Sequence, residues 1–379
     1  MRYLMSGGGT AGHINPALAI AGKIKEMEPD AEILFVGTPW GMEAKLVPAQ
    51  GFAFEGMKVA GFQRSLSLEN IRRNAKAAAY LVTSGKRAKE IISGFKPDIA
   101  IGTGGYACGP VIRKAARMGI PTAIHEQNAY PGVTNRLLSK EVDYVMLTVK
   151  EALKFMDESN FEHSVTGLPV RSDIMKMSRS EARRKLGIDD SFTILSFGGS
   201  LGAGCINETM EAAIKWHHGK GLAVNHIHGY GGMGKDTFPQ AMEAAGIPLK
   251  SDRLRITEYI NDMDVCLAAA DLVICRSGAS TLAELQAAGK ASILIPSPIV
   301  AGNHQYHNAM VLGNADAAVV IEQKDVTNEK VIAEIEKLYN DRDRLAVMSH
   351  NAAGLHVADT NERILAVVDK LVEKAKKKR

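Results

Sequence analysis

Tyr3-Leu4-Met5-Ser6-Gly7-Gly8-Gly9-Thr10-Ala11-Gly12-His13 joins a short apolar strand to a glycine-rich turn and then to a helix carrying apolar Ile14, Leu18, Ala21 and Ile24. The same event recurs at Thr193-Ile194-Leu195-Ser196-Phe197-Gly198-Gly199-Ser200-Leu201-Gly202-Ala203, followed by Ile206, Met210, Ala213 and Ile214. Glycine lets the backbone approach a ligand closely, and the unpaired N–H groups of the following helix start favour an anion. One such loop in each half predicts a cleft between two domains with phosphate chemistry in it.

Working outward, further strands are expected at Glu32 to Val36, Ile99 to Ile101, Thr122 to Ile124 and Tyr144 to Leu147. The second half repeats the series at Thr193 to Phe197, Leu222 to Ile227, Leu272 to Cys275, Ser292 to Ile295 and Ala318 to Ile321. Helical patterns between most of them predict parallel sheets covered by helices, hence an α/β chain of two doubly wound domains. The expected divisions are residues 1–166, 167–350 and 351–379, with the join near Gly167-Leu168-Pro169-Val170-Arg171. The last segment carries a helix from about Asn361 to Lys374 whose apolar Ile364, Leu365, Val368 and Leu371 need a surface to cover, and it is expected to cross back to the first domain.

A chain of 379 residues with 46% hydrophobic and 23% charged content can bury full-sized cores. The net charge of +4 comes partly from Lys374, Lys376, Lys377, Lys378 and Arg379, a solvated tail, so no folded basic face argues for nucleic acid. Cys108, Cys205, Cys266 and Cys275 lack metal-type spacing and read as reduced thiols. Without a signal-peptide pattern or a span-length apolar run, the protein is expected on the cytoplasmic side.

Gly7, Gly9 and Gly12 have the spacing of a dinucleotide fingerprint, but Phe35-Val36 leads into Gly37-Thr38 where a ribose-binding acid belongs, which argues against a nicotinamide or flavin cofactor. Tight strand–helix packing is the lesser reading of these glycines. A third loop, Gly102-Thr103-Gly104-Gly105-Tyr106-Ala107-Cys108-Gly109-Pro110, and the polar run His125-Glu126-Gln127-Asn128 both follow strands, where binding residues collect. His13 is the best general-base candidate, because imidazole titrates near neutral pH; packing at the helix start is the other reading. Thr281 and Glu284 fit a helix capping box as well as a site in which the Glu284 carboxylate accepts from a ribose diol. Asp262-Met263-Asp264 is better read as helix-start carboxylates than as a metal pair, and His217, His218, His226 and His228 lack a further ligand at metal spacing. His228, after a strand, could line the cleft.

These motifs, with Gly167 to Arg171, Arg276-Ser277-Gly278-Ala279 and Gln305-Tyr306-His307-Asn308-Ala309, make the chain resemble over its whole length a bacterial family. It is the MurG family of glycosyltransferase family 28, which adds N-acetylglucosamine to undecaprenyl-diphosphate-N-acetylmuramoyl-pentapeptide. The resemblance implies the GT-B fold, two Rossmann-like domains facing across a cleft, and inverting transfer from UDP-N-acetylglucosamine to the 4-hydroxyl of lipid I, giving lipid II for the peptidoglycan cell wall. The first domain would bind acceptor and membrane, and the second the donor.

In that resemblance Ser200 and Arg171 meet the donor diphosphate, Ile260 and Met263 border the uracil, and Glu284 holds the ribose. Ala279, Ser280 and Thr281, continued by Leu282 and Ala283, supply helix-start contacts, Gln305 reads the sugar, and Thr10, Ala11, Gly12 and Asn128 close the donor site from the first domain. Gly9, Gly104, Gly105, Tyr106 and His125 would bind the acceptor. His13 would be the base with Glu126 behind it, and positive helix ends would stabilise the leaving diphosphate, so no cofactor and no obligatory metal are expected. Implied partners are lipid I, an anionic phospholipid surface and other cell-wall synthesis proteins, but no nucleic acid. Leu68, Ile71, Leu81, Val82, Ile91, Ile92 and Phe95, interleaved with Arg64, Arg72, Arg73, Lys76, Lys86, Arg87 and Lys89, suit a membrane-facing patch, or an ordinary helix facing the core. A UDP-sugar 2-epimerase, a nucleotide-sugar binding protein and another lipid-linked transferase are the rival readings.

Overall fold

Strand, loop and helix alternate throughout the computed structural model, which describes residues 1–61, 68–199 and 201–378, with side chains left out at 68–79, 81, 82 and 172. Two compact units result: Met1–Pro169 with Asp359–Arg379, and Val170–Ala358. Unit 1 runs β1 (Arg2–Gly7), α1 (Ala11–Met27), β2 (Glu32–Gly37), α2 (Glu43–Ala49), β3 (Ala53–Gly56), α3 (Leu68–Phe95), β4 (Ile99–Gly104), α4 (Cys108–Arg117), β5 (Thr122–Glu126), α5 (Val133–Leu138), β6 (Tyr144–Leu147) and β7 (Glu162–Val165). Unit 2 runs α6 (Arg179–Leu186), β8 (Phe192–Phe197), α7 (Gly204–Gly219), β9 (Val224–Gly229), α8 (Gly231–Gly234), α9 (Phe238–Ala244), β10 (Leu254–Thr257), α10 (Met263–Ala269), β11 (Leu272–Cys275), α11 (Ala279–Ala287), β12 (Ala291–Leu294), α12 (His304–Asn314), β13 (Ala318–Val320), α13 (Asn328–Asn340) and α14 (Arg342–Gly354). The last helix, α15 (Thr360–Lys378), belongs to unit 1.

The seven-stranded sheet of unit 1 has the order β3-β2-β1-β4-β5-β6-β7, and the six-stranded sheet of unit 2 the order β10-β9-β8-β11-β12-β13. Their strands pair in parallel. Both orders reverse at one point, between β1 and β4 and between β8 and β11. Crevices at such switch points, beyond the carboxyl ends of the strands, are where open parallel sheets bind ligands. The glycine loops lie there because they follow β1, β4 and β8.

Helices cover both faces of each sheet, so the central strands are apolar on both sides rather than alternating. In β1, Tyr3 and Met5 join one core with Ala17, Ile20 and Ile24 of α1, while Leu4 joins the other with Val111 and Ile112 of α4. The first of these cores also takes Ile364, Val367, Val368, Leu371 and Ala375 from α15. Full burial of one such large aliphatic side chain contributes about 1.5–3 kcal/mol. Lys374 to Asp143 at 2.7 Å and the Arg363 guanidinium to the Val165 carbonyl at 3.0 Å add polar ties.

Three strands escape the sequence pattern: β3, β7 and β10. Each is an edge strand of four residues. An edge strand has one neighbour and a partly wet surface, so its side chains carry Glu55, Glu162, His163 or Arg255 instead of a continuous apolar run.

The patch sketched on α3 divides in two. Ile91 and Ile92 are buried in the core of unit 1, and Arg87 pairs with Glu55 and Glu90, so this end of the helix follows the core-facing reading. Arg64 lies outside the described residues, as do the side chains of Leu68, Ile71, Arg72, Arg73, Lys76, Leu81 and Val82. Among the described residues no helix is long and apolar enough to cross a membrane.

Candidate active site

In unit 1 the loops after β1 and β4 pack backbone on backbone. Gly8 donates its N–H to the Gly104 carbonyl at 3.2 Å. Gly105 has φ +89, and a Cβ there would stand 2.2 Å from the Gly8 oxygen. Gly104 has φ +106, and a Cβ on it would lie 2.9 Å from the His13 ring nitrogen Nδ1. Only glycine therefore lets the His13 ring lie over the β4 turn. Thr103 donates to the His13 carbonyl at 2.7 Å, tying the start of α1 to the end of β4.

An acid does stand beside the first glycine loop, although no sequence signal marks it. Glu43, 1% exposed, accepts from the Gly9 N–H at 3.1 Å and from the Thr38 N–H and hydroxyl at 2.9 and 2.6 Å. Burial opposes its ionisation, but these hydrogen bonds outweigh it and hold the carboxyl below the usual range. Within the loop expected to hold phosphate, the glycine part is thereby closed to an anion, since Gly8 and Gly9 have spent their N–H groups and a carboxylate sits against them. What remains open to an anion is the first turn of α1, at Thr10, Ala11 and Gly12, which has neither a side-chain cap nor an acid.

His13 is half-buried. Its partner is Gln127, whose Oε1 lies 2.9 Å from His13 Nδ1. Glu126 does not stand behind His13 as expected: it is 1% exposed, and its two oxygens accept from the Asn128 N–H and amide, the Gly132 N–H and the Asn135 amide at 2.8–3.1 Å. The carboxylate thus organises the turn that presents Asn128. His125 is wholly buried, donating from Nε2 to the Gly167 carbonyl at 2.9 Å, and burial pushes its pKa down to about 4. Its ring cannot touch an acceptor from there, whereas Tyr106, 57% exposed, can.

In unit 2 the first turn of α11 sits at the end of β11 next to the switch point. Its N-cap is Gly278, and Thr281 and Glu284 both lie inside the helix without a capping bond, which removes the capping-box reading. Ala279, Ser280, Thr281 and Glu284 are part-exposed, but Leu282 and Ala283 turn inward at 4% and 6% exposure, since helical periodicity puts them on the core side. Arg171 donates to the Glu284 carboxylate at 3.2 Å. Burial raises the Glu284 pKa, and Arg171 opposes that shift.

The Gly198 to Ala203 loop packs on the turn after β9: a Cβ on Gly202 would come 2.2 Å from the Tyr230 carbonyl oxygen. It leads into α7, which like α11 has no side-chain cap and no acid in its first turn. By contrast α6, α13 and α14 are capped by Ser178, Thr327 and Asp341. Gln305 accepts from the Ser297 N–H at 2.9 Å, and Arg276 braces the same segment through the Ile295 and Pro296 carbonyls. Ile260 is buried against Gly229, and Met263 beside it is part-exposed at the start of α10. Ser200 lies outside the described residues.

His228 does not line a cleft, because it is fully buried. His217, His226, Ser196 and His228 form one buried chain with links of 3.0, 2.9 and 2.8 Å. Asp262 is committed to a two-pronged pair with Arg255 at 2.8 and 2.9 Å. Among the described residues no His, Cys, Asp and Glu cluster is placed to hold a metal ion.

Two Rossmann-like parallel-sheet units with ligand-receptive loops at their switch points define the GT-B class of glycosyltransferases. The family model described as the glycosyltransferase family 28 N-terminal domain matches residues 3–147, and that of the C-terminal domain residues 193–364. The chain belongs to glycosyltransferase family 28. It is 46% identical over 374 residues to a protein of Acetivibrio thermocellus called UDP-N-acetylglucosamine–N-acetylmuramyl-(pentapeptide) pyrophosphoryl-undecaprenol N-acetylglucosamine transferase, covering 98% of this chain and 99% of that one. A protein of the same name from a Thermoanaerobacter strain is 44% identical over 97% and 99% of the two chains. The crystal structure of Acinetobacter baumannii MurG superposes with a TM-score of 0.77 at 27% identity, covering 97% of this chain and 99% of that one.

Proposed function

We propose that this protein transfers N-acetylglucosamine from UDP-N-acetylglucosamine to the 4-hydroxyl of the N-acetylmuramoyl-pentapeptide of lipid I, with inversion, to form lipid II. The observation that carries the reading is the near full-length relationship to transferases of that name. The acceptor and the membrane surface belong to unit 1 and the donor to unit 2. His13 Nε2 takes the proton of the 4-hydroxyl as its oxygen bonds to the anomeric carbon and the bond from that carbon to the UDP oxygen breaks. Glu126 serves this step through the loop it holds, presenting Asn128. Thr10, Ala11 and Gly12 offer the open first turn of α1, and Gly9, Gly104, Gly105 and Tyr106 line the acceptor's approach.

In unit 2 the departing diphosphate is stabilised by Arg171, the Ser200 loop, and the helix starts at Ala279, Ser280 and Thr281, a preorganised electrostatic role that needs no metal. Glu284 receives the ribose diol, Ile260 and Met263 the base, and Gln305 the sugar. Leu282 and Ala283 support this surface from inside. The enzyme works at the cytoplasmic face of the membrane as a peripheral protein, against anionic phospholipid and alongside other cell-wall synthesis proteins.

The test is transfer of labelled N-acetylglucosamine to a short-chain lipid I analogue in the presence of chelator, with native protein and His13→Ala. Transfer by the native protein and its loss in the variant, with donor binding intact, supports the reading. Donor epimerised without lipid, or bound without transfer, would replace it with one of the rivals.

A further inference from the structure

Gln127 is 3% exposed and fully engaged. Its Nε2 donates to the His125 carbonyl at 2.7 Å and faces the His125 ring atom Nδ1 at 3.2 Å, while its Oε1 faces His13 Nδ1 at 2.9 Å. These contacts form a chain in which the proton positions follow from one end. The Gly167 carbonyl can only accept, so His125 carries its hydrogen on Nε2. Burial keeps His125 neutral, so its Nδ1 is an acceptor and the group facing it must donate. That requirement, together with the bond to the His125 carbonyl, fixes which end of the Gln127 amide is nitrogen. The amide oxygen is then left for His13, whose Nδ1 must carry the hydrogen.

We propose that Gln127 is a positioning residue that holds His13 in the Nδ1–H tautomer, leaving the lone pair on Nε2 as the proton acceptor. Among the described residues nothing bonds His13 Nε2. An isolated neutral imidazole populates both tautomers, and the structure selects one through a relay that starts at Gly167, close to where unit 1 ends at Pro169. A neutral amide, unlike a carboxylate, orients the ring without adding a charge that would hold the proton on it after transfer. The role rests on His13 acting as the base.

The experiment is nitrogen NMR of His13 in the native protein and in Gln127→Met, which keeps the side-chain length and removes both polar atoms, paired with steady-state kinetics. The expected native spectrum of the neutral ring shows a protonated Nδ1 and an unprotonated Nε2. In Gln127→Met the signals move toward a tautomer mixture, and kcat falls roughly two- to fivefold with donor KM unchanged, in proportion to the share of His13 that has left the Nδ1–H form. A native Nε2–H tautomer overturns the proposal without any variant. So does a tautomer unchanged in Gln127→Met, or a shifted tautomer with unchanged kcat. Failure of the base reading itself looks different, because His13→Ala would then retain transfer whatever the native spectrum shows.

Discussion

Each unit contains a buried histidine chain threaded off its central strands, and the two end differently. In unit 1, Gly167, His125, Gln127 and His13 lead from a carbonyl to a half-buried ring lying over Gly104, outside the carboxyl ends of β1 and β4. In unit 2, His217, His226, Ser196 and His228 run through the interior, and the last ring nitrogen, His228 Nε2, is buried without a partner among the described residues, its ring 4.6 Å from that of Phe238. The same residue types thus reach a part-exposed ring in one place, where we propose the base, and pack the interior in the other. The difference is whether the chain reaches a surface at the switch point of the sheet.

The most severe way to break this contrast is to exchange the ends. His13→Ala is expected to lower kcat by about 10²–10⁴-fold, the usual worth of a positioned general base, while His228→Phe should leave kcat within about twofold. Comparable losses from both would show that the buried chain of unit 2 also serves the reaction. A second experiment addresses stability: Ser196→Ala strands two buried ring nitrogens and is expected to cost about 1–3 kcal/mol in denaturant unfolding, with kcat per folded molecule preserved. Unchanged stability would mean that the chain is not a connected unit.

Acid should separate the units as well. Burial pushes His217 down to about 4 and His228 to about 3, and holds His226 well below its ordinary value, against His125 alone in unit 1. These groups stay neutral when folded while the unfolded chain protonates near pH 6.5. Their stability contribution is whole above that pH and falls as pH drops toward 4, by at most about 1.4 kcal/mol per pH unit for each histidine. The two tryptophans allow a direct reading, since Trp40→Phe leaves Trp216 of α7 to report unit 2 and Trp216→Phe leaves Trp40 to report unit 1. Unit 2 should show the steeper loss between pH 6.5 and 5; equal slopes would contradict the burial argument.

The smallest effect concerns Arg171, whose pair with Glu284 is half exposed on the arginine side. Arg171→Ala should change unfolding free energy by less than about 1 kcal/mol. Its affinity for UDP-N-acetylglucosamine, measured by calorimetry, should still fall by about tenfold, as for loss of a charge-assisted contact. A large stability loss with unchanged affinity would make the pair structural, like the buried histidine chain of unit 2.

What could be read in the sequence followed the apolar runs. Strands flanked by neighbours on both sides stand out as Ile99 to Ile101 or Leu272 to Cys275 do, whereas β3, β7 and β10 carry the polar residues that an edge permits. In the site, His13, Glu126 and Asn128 were marked by their place after strands. The adjacent Gln127 was visible in the same run without any sign that it, rather than Glu126, would meet His13, because one residue's step along a turn swings the side chain to another direction. Glu43 carried no sign, being separated by 34 residues from the Gly9 N–H it binds.

The sequence by itself determined the alternation of strand and helix, the two glycine loops after β1 and β8, and the family, because these depend on local periodicity and on residues close together in the chain. Only the tertiary structure decided which histidine chain opens outward, that α15, expected from its apolar face to return to the first domain, does so against α1, and that a buried carboxylate fills the first glycine loop. Those outcomes rest on contacts between residues tens to hundreds of positions apart, which chain order alone does not encode.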